Sequence, residues 1–206
     1  MTTPSWDAAY VAPAAAPWDI NRPQPAFVRL ADQGLLAGRV LDVGCGTGEQ
    51  TLLAASRGAD ATGIDVSERA IGLARAKAAE RALGARFEVA DALRLAERAR
   101  PGSEPRADVL IDCGVFHVFA DEDRARYVAG LASVLRPGGR CYLMCFSDRQ
   151  PGVFGPRRVS QQELRAAFRN GWTVTSIEPG IFELNEAGIG VPEAQAWLAT
   201  IERAGS

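Results

Sequence analysis

The run Arg39 to Gln50, RVLDVGCGTGEQ, sets Asp42, Gly44, Gly46 and Gly48 in a D-x-G-x-G-x-G pattern directly after a short apolar stretch. Glycine has no Cβ and tolerates positive φ, so such a run lets the backbone turn sharply and lie against a ligand with free N–H groups. A dinucleotide fingerprint would read G-x-G-x-x-G, yet the sixth position from Gly44 is Glu49 and the third glycine comes one residue early. An acid at Asp42 repels a pyrophosphate and attracts an ammonium. The ligand should therefore carry a cationic amine and no phosphate bridge. A second acid, Asp65, lies about twenty residues beyond Gly44, the separation at which a carboxylate ending the next strand reaches a ribose diol. Alternatively Asp65 only caps the following helix, although Ser67 is the better N-cap. His117, the single histidine, stands in CGVFHVF after another apolar run. An imidazole, with an unperturbed pKa of about 6.5, suits a proton acceptor for a phenol, enol or thiol. Wedged between Phe116 and Val118, it is equally a packed ring bonded to backbone.

These groups need a scaffold, and the apolar periodicity supplies one. Val40 to Val43, Ala59 to Asp65, Arg86 to Val89, Ala107 to Asp112 and Arg140 to Phe146 read as strands of a buried parallel sheet. Helices are expected over Gln24 to Leu36, Glu49 to Arg57, the stretch after Ser67, and Asp121 to Leu135, the last N-capped by Asp121 and ended by Pro137-Gly138-Gly139. Pro101, Gly102 and Pro105 mark a break before the fourth strand. Ser160 and Glu163 form a capping box. Trp172 to Ile177 and Ile181 to Leu184 alternate around Pro179-Gly180, which predicts a terminal hairpin, and Pro192 to Ala204 a short closing helix. The loop Ser147 to Val159 leaves the same sheet edge as the other loops and is expected to help select a substrate, with Arg149, Phe154, Arg157 and Arg158 as candidates.

The glycine run resembles motif I of the class I S-adenosylmethionine (SAM)-dependent methyltransferases, and L-R-P-G-G-R before the fifth strand is a second resemblance. PWDINRP, with Asn21 where relatives often carry glycine, is similar to a lid segment of the thiopurine and thiol types. Asn tolerates the left-handed region, so the turn is expected to persist. The resemblance covers residues 18 to 185 or so. It implies a doubly wound α/β sheet of seven strands, Rossmann-like, with the last strand antiparallel and helices on both faces. It also implies SAM as cofactor, S-adenosylhomocysteine (SAH) as product and a small acceptor. Asp42, Gly44, Cys45, Gly46, Gly48 and Cys113 would meet the cofactor, Asp65 its ribose, and Val66, Asp91 and Ala92 its adenine. The loop after the fourth strand would face the reacting centre, with His117 as base and Phe116 and Phe119, together with Trp18, Arg149 and Phe154, around the acceptor. Trp18 alternatively pins the N-terminal arm to the core.

Composition sets outer limits. The 206 residues suit one domain, read as an arm or lid (1–23) on a methyltransferase domain (24–206). Residues 1–17, rich in Ala and Pro, are expected to be loosely packed without ligand. With 23 basic and 25 acidic residues the net charge is −2, which disfavours a nucleic-acid partner; Arg94, Arg98, Arg100 and Arg106 alternate with glutamates as a solvated face. The N-terminus has no secretory pattern and no apolar run spans a bilayer, so the expectation is a cytoplasmic monomer or homodimer. Cys45, Cys113, Cys141 and Cys145 lack metal-ligand spacing and read as small hydrophobes, Cys141 and Cys145 sharing one strand face.

Overall fold

The computed structural model describes residues 6–11, 16–98, 107–185 and 190–205. Its centre is a seven-stranded sheet of β1 (Arg39–Val43), β2 (Asp60–Asp65), β3 (Arg86–Val89), β4 (Ala107–Cys113), β5 (Leu135–Phe146), β6 (Trp172–Glu183) and β7 (Glu193–Arg203). The strand order is β3-β2-β1-β4-β5-β7-β6, with β7 antiparallel to both neighbours and the first five strands parallel. Helices α1 (Pro25–Asp32), α2 (Glu49–Ser56), α3 (Glu68–Glu80), α4 (Leu95–Arg98), α5 (Asp121–Val134) and α6 (Gln161–Ala167) complete it.

Both faces of the sheet are apolar, which is why its strands read as near-continuous hydrophobic runs. Along β5, Tyr142, Met144 and Phe146 pack with Phe27, Leu30 and Phe182 on one side. Cys141, Leu143 and Cys145 alternate to the other side, against Tyr127, Leu131 and Leu164. All four cysteines are free thiols.

The C-terminal region departs from the expected hairpin and helix. Pro179 and Gly180 do not turn; they continue β6, opposite Trp197 and Ala196. Proline is tolerated there because β6 is an edge strand, where a missing N–H need not break a second ladder. The expected closing helix is β7, whose Ala194, Ala196 and Leu198 enter one core and Trp197, Ala199 and Ile201 the other. Its alanines and two glutamates suit a helix, but the slot between β5 and β6 overrides that preference.

Smaller differences have local causes. α1 stops at Asp32, where Gln33 caps it and Gly34 takes φ +72°. α5 is N-capped by the Ala120 backbone with no side-chain bond, Asp121 being its first helical residue. Pro137-Gly138-Gly139 lie inside β5 as a bulge: the register passes from Ala107↔Leu135 to Val109↔Arg140. The Ser160–Glu163 capping box and the Ser67 N-cap form as read. Arg94 and Arg98 pair with Glu97 and Glu88 on the surface. Arg100, Arg106 and the Pro101-Gly102-Pro105 break lie outside the described residues. Among the described residues no helix is long and apolar enough to cross a membrane.

Candidate active site

β1 delivers Asp42 to the carboxyl edge of the sheet, where the chain turns through Gly44 at φ +68°. A Cβ on Gly44 would stand 2.1 Å from Val115 Cγ2, so no larger residue fits without moving the loop after β4. Gly48 serves packing, since a Cβ there would meet the Phe87 ring at 2.7 Å. Asp42 is 1 % exposed. Its Oδ2 accepts the Thr51 hydroxyl at 2.6 Å, while Oδ1 is buried with no partner. Burial pushes its pKa up to about 7, against the Thr51 bond and with added repulsion from Asp112 and Asp65. A buried carboxylate oxygen without a donor, on the wall of a cleft, is a site for a cationic N–H group.

Asp65 ends β2 next to this turn. Its Oδ2 accepts the Gly46 N–H at 2.9 Å and its Oδ1 the Ser67 N–H at 2.8 Å. Burial raises its pKa, against those backbone bonds. Each oxygen keeps a further lone pair. Val66 beside it is exposed. Asp91 is exposed and caps the short turn Ala92–Arg94, accepting the Leu93 N–H at 2.8 Å. The Ala90 N–H bonds the Asp65 carbonyl at 2.8 Å, which brings these residues to one edge.

The N-terminal arm is docked rather than loose over its described part. Trp6–Tyr10 forms a 3-10 turn on the start of α3. Asp7 accepts the Ser67 hydroxyl at 2.5 Å and the Arg69 N–H at 3.2 Å, and Arg69 Nε donates to the Tyr10 carbonyl at 2.6 Å. The Tyr10 hydroxyl lies 3.0 Å from where a Gly46 Cβ would be and accepts Trp18 Nε1–H at 3.1 Å. Trp18 meets Trp6 and Tyr10 edge to face. Asn21 adopts φ +56°, the turn expected of it. Thr47 in the glycine loop donates to Asp19, and Lys77 bonds both Thr47 and Glu49, clamping this segment to α2 and α3. Arg22 pairs with Glu183, and Gln24 exchanges two hydrogen bonds with the Glu183 backbone. Sequence reasoning missed Trp6, Asp7 and Tyr10; aromatics spaced through an Ala/Pro-rich arm were the available signal.

One cleft gathers much of the set. Asp42, Gly44, Cys45, Gly46, Cys113 and Trp18 line it, with Tyr10, Gln50 and Phe182. Gly48, Asp65, Val66, Asp91 and Ala92 stand outside its walls.

The far end differs most from expectation. His117 is 5 % exposed, and its Nδ1 accepts the Phe146 N–H at 2.9 Å. Burial, helped by the charges of Arg124 and Arg158, holds its pKa down to about 3, against a hydrogen bond with the Gly114 backbone. The lone pair that a base would use is committed in this geometry, which matches the alternative of a packed ring bonded to backbone and makes His117 a brace between the β4 exit and β5. Phe116, expected at the acceptor, does not reach the cleft walls. It is fully buried on the opposite core, under the Arg124 guanidinium and beside Phe168, because Asp112 turns the loop by accepting the Val115 and Phe116 N–H groups. Phe119 packs with Tyr127 in that core. Arg149 lies over the Trp197 ring, away from the cleft walls. Phe154 belongs to an aromatic group of His117, Phe146 and Phe182. Phe146 and Phe182 are the aromatics that sequence reasoning missed; strand alternation alone does not tell which face is the binding one.

A family model described as a methyltransferase domain matches residues 40–139. The 2-heptyl-1-hydroxyquinolin-4(1H)-one methyltransferase of Mycobacteroides abscessus is 36 % identical over 178 residues, covering 85 % of this chain and 76 % of that protein. A probable thiol methyltransferase of Arabidopsis thaliana is 27 % identical, covering 77 % of this chain and 67 % of its own. A solved structure concerned with converting a disulfide bond into a thioacetal group during echinomycin biosynthesis aligns with TM-score 0.80 and 38 % identity, over 91 % of this chain and 85 % of that one.

Proposed function

We propose that this chain, which belongs to the class I SAM-dependent methyltransferases, moves a methyl group to a hydroxyl, nitrogen or thiol of a small aromatic or heterocyclic acceptor. The observation that carries the reading is the buried, unpartnered Asp42 Oδ1 beside a glycine turn that leaves no room for side chains. That oxygen suits an ammonium and would repel a phosphate, which favours a nucleoside bearing an amino acid. SAM, when bound, supplies a sulfonium methyl open to in-line attack and departs as SAH.

Asp42 would hold the ammonium, with Gly44, Cys45 and Gly46 against it and Cys113 facing the methionine part. Asp65 would take the ribose hydroxyls with its remaining lone pairs. Val66, Asp91 and Ala92 would stand at the adenine. Trp18 and Tyr10 would close the cleft against water. Because His117 is held through Nδ1, catalysis would rest on orientation and water exclusion, which are worth about 7–11 kcal/mol when reactants are well aligned. Phe182 would supply an apolar wall, with Phe146 and Phe154 packed edge to face behind it. The division into an arm (1–23) and a catalytic domain (24–206) is supported by the docking of Trp6–Tyr10 as a separate strap. A cytoplasmic location is supported by four free thiols. The even charge distribution favours a small-molecule acceptor over nucleic acid.

The test is SAH formation from SAM, followed by mass spectrometry, with 2-heptyl-1-hydroxyquinolin-4(1H)-one as acceptor. Acceptor-dependent SAH supports the reading. SAM binding without conversion across oxygen, nitrogen and sulfur acceptors would indicate a non-catalytic binder instead. The similarity to a probable thiol methyltransferase favours sulfur as the second choice, and thiophenol in competition with the hydroxyquinolone separates the two.

A further inference from the structure

The loop between β5 and α6 carries a cation, Arg158, that no acid among the described residues neutralises. Arg158 is half-buried and gives its guanidinium hydrogens to backbone carbonyls only: Pro156 at 2.7 Å, Gln150 and Gly152 at 3.2 Å, and Pro151 at 3.5 Å. No carboxylate among the described residues pairs with it. Two neighbouring cations do have acids to pair with. Arg124 and Arg157 share Asp121 and Glu163, and Asp148 accepts the Trp197 indole N–H. Arg149 lies over the Trp197 ring.

The guanidinium carbon stands 5.4 Å from the centre of the Phe146 ring and 5.3 Å from that of Phe154. Phe146 touches His117 and Phe182, and Phe182 is a wall of the cleft. The Arg158 charge, unpaired with any acid among the described residues, therefore stands behind the Phe146 and Phe154 rings at the aromatic end of the site, and the histidine there is committed through Nδ1 to the Phe146 N–H.

We infer that Arg158 makes the acceptor site selective for a nucleophile that binds already ionised: the anion of an acidic N-hydroxy heterocycle, phenol or thiol. The inference rests on the methyltransferase reading. The anion's lone pair becomes the new bond to the methyl carbon, and the methyl–sulfur pair stays on sulfur. The acceptor's proton has gone to solvent beforehand, so no side chain has to receive it. A neutral aliphatic alcohol, whose proton must leave during attack, is excluded.

The test uses SAH and 4-nitrophenol, whose anion absorbs where the neutral phenol does not. SAH affinity is measured first, by isothermal titration, on the parent, Arg158→Lys and Arg158→Gln proteins. Failure of the parent to bind SAH would sink the methyltransferase reading and this inference with it. On the SAH-saturated proteins, 4-nitrophenol is then titrated with pH. With the guanidinium one aromatic ring behind the acceptor wall, a fixed opposite charge at an effective dielectric constant of about 20 lowers the pKa of an acid by about one unit. The bound phenol should show such a drop with the parent and with Arg158→Lys, and none with Arg158→Gln, at unchanged SAH affinity. An undisplaced titration in the parent, including one reflecting no binding, overturns the inference. So does an equal drop in Arg158→Gln. A drop lost equally in Arg158→Lys shows that the guanidinium only braces the loop carbonyls, and also overturns it.

Discussion

The Phe146 backbone N–H donates to His117 Nδ1 at 2.9 Å, so the one histidine of the chain spends its lone pair on the strand beside it. That bond ties the loop leaving β4 to the end of β5 and stands where a general base would otherwise be sought.

Replacing His117 by Phe should therefore act on stability more than on chemistry. It leaves the Phe146 N–H buried without an acceptor, which costs about 1–3 kcal/mol. The unfolded imidazole titrates at about 6.5, whereas the folded one is held down to about 3. Between these values the unfolded chain binds the extra proton, so His117 stabilises the fold above the upper value and loses that contribution as pH falls. The gap in melting temperature between parent and His117→Phe should widen from about pH 4 to about pH 6.5. A kcat limb near neutral pH that vanishes in the variant would restore the base.

Asp42 has the opposite sign. Its folded pKa is pushed up to about 7 by burial, above the ordinary carboxylate range, so the folded chain without ligand holds an extra proton below neutrality. Binding an ammonium requires the ionised form. SAH affinity should then weaken by up to about tenfold per pH unit as pH falls below 7. Titrations in buffers of different ionisation enthalpy should report proton release. Asp42→Asn should bind more weakly and lose both effects; a pH-independent parent affinity would count against the assignment.

Gly44→Ala adds a Cβ 2.1 Å from Val115 Cγ2 at a positive φ. The left-handed backbone alone costs on the order of 1–3 kcal/mol. Pairing it with Val115→Ala should recover the clash but not the backbone strain, so the double variant should melt between parent and single variant. Full recovery would mean that the glycine matters only for space.

The strap predicts kinetics. Asp7→Ala removes the acceptor for the Ser67 hydroxyl and the Arg69 N–H, and should free Trp6–Tyr10 from α3 while leaving the sheet intact. SAH dissociation, followed by stopped-flow tryptophan fluorescence of Trp6 and Trp18, should become several-fold faster at an unchanged melting temperature. An unaltered dissociation rate would separate the strap from the cofactor site.

Much of the scaffold is local and was legible in the chain. The D-x-G-x-G-x-G spacing, the acid closing β2, the Ser67 cap, the Ser160–Glu163 box and the first five strands each depend on residues within a few positions of one another. Their physics is backbone sterics, capping and apolar periodicity, which a linear pattern carries. Three decisions were not local. The last strand reads as helix by composition, and only the open ladder between β5 and β6 makes it extended. Phe116 and Phe146 are alike in sequence, yet Asp112 turns the first into the far core while β5 alternation sets the second near the cleft. His117 is a base by type and a brace by partner, because its acceptor nitrogen finds an N–H 29 residues onward. Residue types set what each side chain is able to do; which of these it does follows from the groups that distant parts of the chain bring against it, and the burial they impose.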